Sequence, residues 1–175
     1  MPLSPLHFLA IAPLHFKWSK VFDITALFYS SLAVDLEIVL SFLLGGYLGH
    51  GVWHSYLFVV TVYPAAVSLF VYALEKWFEG TVFGVYRLLR FYPEKVRYSF
   101  LTVYLCCLLG GVSHVFFDMW THQVSSYILF PLVGANPFWL GDFWSYLVFA
   151  VVVLLSFYAI YLWVRRALAH RRNRG

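Results

Sequence analysis

The sequence predicts an all-α, polytopic membrane bundle of about four transmembrane helices, preceded by an N-terminal half-helix or re-entrant segment. Three observations predict it. Of the 175 residues, 62% are hydrophobic and only 11% are charged, whereas a soluble domain is nearer half apolar and a quarter charged. Four runs are apolar over the roughly 20 residues that a helix needs to cross a bilayer. The 12 Lys and Arg residues all lie outside those runs. So little charge cannot cover a water-facing surface, which excludes an ordinary soluble enzyme, a disordered tail and a nucleic-acid module. One membrane-embedded domain over residues 1–175 is expected.

The elements follow in order. Met1–Phe16 is apolar but short, carries Pro2, Pro5 and Pro13, and has no basic n-region, so it makes a poor signal peptide. At about 1.5 Å per residue it covers only part of a bilayer as a helix, and it reads as a half-helix or re-entrant segment packed against the bundle. The four spans are Ile24–Leu48, Val52–Glu75, Tyr98–His122 and Asp142–Val164, followed by a basic tail from Arg165 to Gly175. Phe78–Tyr92 mixes Phe83, Tyr86, Leu88 and Leu89 with Arg87 and Arg90. It is either an amphipathic segment lying on the inner leaflet or a plain basic loop. Cys106 and Cys107 are adjacent on one span and point apart, so no disulfide framework is implied.

Charge placement sets the orientation. Lys17 and Lys20 precede the first span, Lys76 to Arg97 separate the second from the third, and Arg165 to Arg174 follow the fourth. With four spans, every basic residue falls on one side, which the positive-inside rule makes cytoplasmic. Loop 17–23 and the C-terminus then face the cytoplasm across the cell (inner) membrane. The tryptophans agree: Trp18, Trp77 and Trp163 fall at inner ends, and Trp53, Trp120, Trp139 and Trp144 at or near outer ends. These are the two aromatic belts expected at headgroup level.

Several polar residues contradict an apolar interior. Asp35 and Glu37 sit near the middle of the first span, and Asp118 sits in the third between His114 and His122. A charge at the bilayer centre costs about 2.5–3.5 kcal/mol on insertion scales. No Lys or Arg lies inside any span, so the compensating cation is an imidazolium or a metal ion. Of seven histidines, His7, His15, His50, His54, His114 and His122 lie in or at the membrane. His114, Asp118 and His122 follow an i, i+4, i+8 pattern and form one helical stripe. His114 with Asp118 is a two-ligand pair on adjacent turns. Asp35 and Glu37, at i and i+2, point apart on a regular helix, so one ligates and the other supports it unless the helix is distorted there. His50, His54, His114, Asp118 and His122 all fall towards outer ends, which places the site in the outer half of the bundle. His15, near Lys17 and Trp18, reads as a helix–helix hydrogen bond. Ser113 and Thr121 are small hydroxyls near the site, and Gly110-Gly111 permits close helix packing.

Four segments occur in sequence: Pro5-Leu6-His7, Val34-Asp35-Leu36-Glu37, His50-Gly51-Val52-Trp53-His54-Ser55 and Ser113-His114-Val115-Phe116-Phe117-Asp118-Met119-Trp120-Thr121. Their order resembles the predicted membrane-bound metal-dependent hydrolases of bacteria and archaea, a family of largely unknown function. Val34 stands where that pattern usually has Pro, Glu37 where it has a second Asp, and the His50–His54 spacing is one shorter than usual. The resemblance implies metal-ligand roles for His7, Asp35, His54, His114 and Asp118; separately, Ser55, Ser113 and Thr121 are the hydroxyls expected to support the ligands, Ser113 and Thr121 having packing as small residues for their alternative. The His-x-x-x-Asp pair is also similar to that of zinc-dependent phospholipases C.

The expected activity is metal-dependent hydrolysis. His and carboxylate donors suit zinc first, with manganese or iron as alternatives, and one or two ions fit the donors present. Glu37 or His122 is the expected general base or acid, with His50 as an alternative. A site inside the bundle favours a membrane lipid or lipid-linked phosphate ester as substrate, and no nucleic acid. Two rivals come from other classes: a proton- or ion-coupled transporter using the intramembrane Asp, Glu and His residues, and a haem or structural-metal scaffold without turnover.

Overall fold

In a computed structural model, described for residues 5–45, 51–91, 97–123, 127–132 and 134–172, the chain is all-helical, with no strand among those residues. The elements are α1 (Pro5–Lys17), α2 (Ile24–Ala33), α3 (Leu36–Leu43), a 3-10 turn (Val52–His54), α4 (Tyr56–Val60), α5 (Val62–Trp77), α6 (Glu79–Leu88), α7 (Phe100–Thr121) and α8 (Asp142–Arg172). His50, the last residues of the first expected span, Lys95 and Arg174 lie outside the described residues.

Among the described residues, two helices are long and apolar enough to cross a membrane: α7, with mean hydropathy 1.9, and α8, at 2.5 over Asp142–His170. They match the third and fourth expected spans, although α8 continues as helix through the basic residues from Arg165 to Arg172. The first span is interrupted. α2 and α3 pass the same test only as a pair bent by 42°, a broken span or a re-entrant loop. The bend follows from local bonding. Asp35 N donates to Leu32 O (3.1 Å) and Glu37 N to Val34 O (3.4 Å), three residues back rather than four.

The second expected span is not one helix. α4 ends at Thr61, whose amide again bonds three residues back, to Phe58 O. Pro64, in the first turn of α5, has no N–H to give, and its ring would clash with the carbonyl of Val60 if the helix ran on. That proline is the sequence signal for the break. α6 is a helix within the expected Phe78–Tyr92 linker, with Phe83 and Leu88 exposed.

α1 is a short helix packed chiefly against α8, with contacts to α2 and α7. Its C-terminal end is pinned by side chains. Arg166 of α8 donates to Phe16 O (3.3 Å) and Ser19 Oγ (2.7 Å), and His15 Nδ1 lies 2.7 Å from Phe22 O. Such partners satisfy the carbonyls that a helix end leaves open. Asp23 caps α2, accepting from Thr25 N (2.9 Å), and is fully buried close to Glu75 of α5.

α2 and α7 approach closely at Gly110. A Cβ there would lie 1.8 Å from Ser30 Oγ, 2.9 Å from Ser30 Cβ and 3.3 Å from Leu27 O. Gly111 gives the same clearance to Tyr63 of α5, whose hydroxyl donates to Ser30 O. The glycine pair therefore sets the spacing of α2, which leads to Asp35, and α5 against α7, which carries His114 and Asp118. Gly110→Ala should destabilise the protein by about 1–3 kcal/mol, the usual range for forcing a methyl into a packed core. Thermal unfolding in detergent checks this, and adding Ser30→Gly should recover part of the loss.

Candidate metal centre

Breaks in the helices bring the polar residues together. Asp35 sits at the bend between α2 and α3, so Asp35 and Glu37 reach the same region despite their i, i+2 spacing. His54 ends the 3-10 turn, followed by Ser55, whose hydroxyl donates to Val52 O (2.6 Å) and accepts from Phe58 N (3.2 Å) to start α4. His114, Asp118 and His122 come from the last two turns of α7 and its end. Asn136 holds that end by donating to Met119 O (2.7 Å) and His122 O (2.8 Å), and Ser145 of α8 donates to Trp120 O (2.8 Å). Asn136 is a supporting residue that the sequence did not single out. Its place in a loop far along the chain carried no local signal.

Asp35, His54, His114 and Asp118 each offer a ligand atom, and these atoms lie within 4.8 Å of one another. All four residues are buried, none more than 3% exposed. His54 Nε2 lies 3.3 Å from Asp35 Oδ1. His114 Nε2 lies 3.3 Å from Asp35 Oδ1 and 3.1 Å from Asp118 Oδ2. Yet His114 Nε2, Asp35 Oδ2 and both Asp118 oxygens have no hydrogen-bond partner among the described residues. His54 Nε2 and Asp35 Oδ1 are hydrogen-bonded, whereas the contacts of His114 Nε2 to Asp35 and Asp118 are at contact distance but not aligned along N–H···O directions. Buried polar atoms are rarely left so. Donors about 2.0–2.2 Å from a tetrahedral ion stand about 3.4 Å apart, close to the separations here. The group can hold a metal ion.

Glu37 stands behind His54. Its carboxylate accepts from Gly51 N (2.9 Å) and Trp53 N (3.1 Å) and lies 3.2 Å from His54 Nδ1. With Nδ1 donating to Glu37, Nε2 would be left to ligate an ion beside Asp35, the carboxylate–histidine arrangement common behind metal ligands. A Cβ on Gly51 would lie 2.3 Å from Glu37 Oε1, so only glycine lets the backbone come this close.

The other expected site residues are accounted for as follows. His7 reaches the cluster from α1, its Nε2 3.3 Å from Asp118 Oδ1 and its ring 4.3 Å from that of His114. His122 Nδ1 is 3.5 Å from Asp118 Oδ1. Ser113 donates to Gly110 O (2.9 Å) and Thr121 to Phe117 O (3.2 Å), both within their own helix; the Thr121 hydroxyl is also 3.1 Å from His122 Nδ1. A cavity of about 260 Å³, lined by Phe8, Phe28, Leu74 and Tyr86 among others, lies elsewhere and touches none of the cluster.

The family model for a domain of unknown function, DUF4184, matches residues 1–172. The chain belongs to the DUF4184 family. No curated protein and no solved structure matches this DUF4184 chain. The DUF4184 description assigns no activity and shows no hydrolase kinship, so the chemistry open to this chain is read from the cluster itself.

Removing the group behind a metal-ligating histidine typically costs about 10–100-fold in metal affinity. Glu37→Ala should therefore weaken metal binding by about that factor while leaving the ligands in place. Competition against a chromophoric chelator measures it; an unchanged affinity would show that Glu37 does not act through His54.

Proposed function

We propose that this chain is a membrane-embedded, metal-dependent hydrolase of lipid or lipid-linked phosphate esters. The observation that carries the reading is the buried cluster of donor atoms on Asp35, His54, His114 and Asp118, in which Asp35 Oδ2, His114 Nε2 and both Asp118 oxygens have no hydrogen-bond partner among the described residues. Imidazole and carboxylate donors favour zinc, with manganese or iron as alternatives. Such an ion supplies Lewis acidity towards a phosphoryl oxygen and a nucleophile from water at neutral pH.

The chain's own residues divide the remaining work. Asp35, His54, His114 and Asp118 hold the ion, and Glu37 fixes the His54 tautomer. Of the residues around the ligands, Glu37 and His122 keep 14% and 15% of their side chains exposed, against 5% or less for the others. Glu37 is occupied by two backbone amides and His54, so His122 is the group placed to meet a substrate. The apolar surroundings, including Val34, Val59, Val115 and Met119, exclude water and strengthen every charge interaction inside. A site at this depth suits a substrate delivered by the membrane, in a four-span topology with loop 17–23 and the C-terminus cytoplasmic and the site in the outer half.

Detergent-purified protein should carry stoichiometric metal that is lost in His114→Ala and Asp118→Ala, and only the wild type should release phosphate from lipid phosphate esters. Elemental analysis and a phosphate assay check both. Wild type and variants equally free of metal after chelator-free purification would end the reading.

One observation favours a proton-coupled carrier as the second reading: the buried Asp23–Glu75 pair, at the opposite end of α2 from Asp35. Reconstitution into liposomes separates the two. Substrate-dependent proton flux supports the carrier, and phosphate release without flux supports the hydrolase.

A further inference from the structure

Asp118 presents two oxygens to two different sets of histidines. Oδ2 faces His114 Nε2 at 3.1 Å. Oδ1 lies 3.3 Å from His7 Nε2 and 3.5 Å from His122 Nδ1. Neither oxygen is hydrogen-bonded among the described residues, although Asp118 is 3% exposed and His7 2%. The His7 and His114 rings are 4.3 Å apart, so the two sets sit side by side across one carboxylate. His122 Nδ1 is also 3.1 Å from Thr121 Oγ1, which keeps the ring at this end of α7.

Coordination chemistry separates the two sets. Four protein donors complete a tetrahedral ion, as in structural sites, whereas sites that do chemistry keep three protein donors and an open position. Asp35, His54, His114 and Asp118 form the complete set. His7, Asp118 and His122 form a set of three, and His122 is its partly exposed member.

We infer that Asp118 bridges two divalent cations, one in the Asp35–His54–His114–Asp118 group and a second held by His7 Nε2, Asp118 Oδ1 and His122 Nδ1, the second being the one that meets substrate. This rests on the metal reading above and sharpens it. The open position of the second ion would take a phosphoryl oxygen of the substrate, while the first ion, with four protein donors, would fix the shared carboxylate. A phosphate ester is the substrate class taken over from that reading. His122 acts on the substrate through the ion it holds.

Zinc content per chain and the electron paramagnetic resonance spectrum of the manganese-loaded protein test the inference, using the full chain in detergent. The wild type should hold two ions, with the broadened spectrum of an exchange-coupled pair. His7→Ala and His122→Ala should each retain one, with the six-line spectrum of an isolated manganese ion. Where His7→Ala does not elute as a monodisperse peak, His7→Gln replaces it. A single ion in the wild type, lost in His54→Ala but unaffected by His7→Ala, would overturn the second site and leave the metal reading standing. Two ions persisting in the His7 variant, or two that are uncoupled in the wild type, would also overturn it. A metal-free wild type would overturn both.

Discussion

Three carboxylates face imidazole nitrogens in an apolar interior, and no Lys or Arg lies in any apolar run to balance them. Everything else about the site follows from that constraint. Ionised groups taken out of water need a counter-charge or a proton. Imidazolium can serve, but it would form aligned N–H···O bonds, and both oxygens of Asp118 lack one among the described residues. A divalent cation between the donors balances the charge and asks for lone pairs to converge rather than for protons to align. The same constraint explains why the cluster is sealed by Val34, Val59 and Val115. A low-dielectric wall raises the value of each contact to the ion.

The fold departs from ideal helices where the cluster needs it. The bend between α2 and α3 directs Asp35 inward and lets Glu37 reach the 51–54 segment. The 3-10 turn presents His54 edge-on to Asp35, and its close approach to Glu37 requires glycine at position 51. The end of α7 is held open by Asn136 and Ser145 instead of being continued. In contrast, the surfaces that hold the helices together are regular. The Gly110-Gly111 pair and the Arg166 contact to the end of α1 lie away from the donors and set the distances between the elements that carry them.

The sequence made much of this legible. The His114–Asp118 pair was readable because a regular helix converts an i, i+4 spacing into adjacency, and α7 is regular through that stretch. α8 was readable from apolar length alone. The split of the second expected span into α4 and α5 was not legible because a run of hydrophobic residues hides a local break. Hydropathy is averaged over a window, while the missing amide of Pro64 and the turn at Thr61 act at single residues. Asp23 and Glu75 were overlooked because each stood at the edge of an apolar run, where a charge is ordinary; only packing of α2 against α5 showed both to be buried. Asn136 lay in a polar loop, and only tertiary structure directs it to α7.

The claim that a metal ion neutralises the buried carboxylates is tested most directly by X-ray absorption spectroscopy at the edge of whichever divalent metal accompanies the purified protein. The account predicts a first shell of nitrogen and oxygen alone at about 2.0–2.2 Å, with the outer-shell scattering of imidazole rings. A first shell of water oxygens without imidazole, or one containing sulfur, would contradict it.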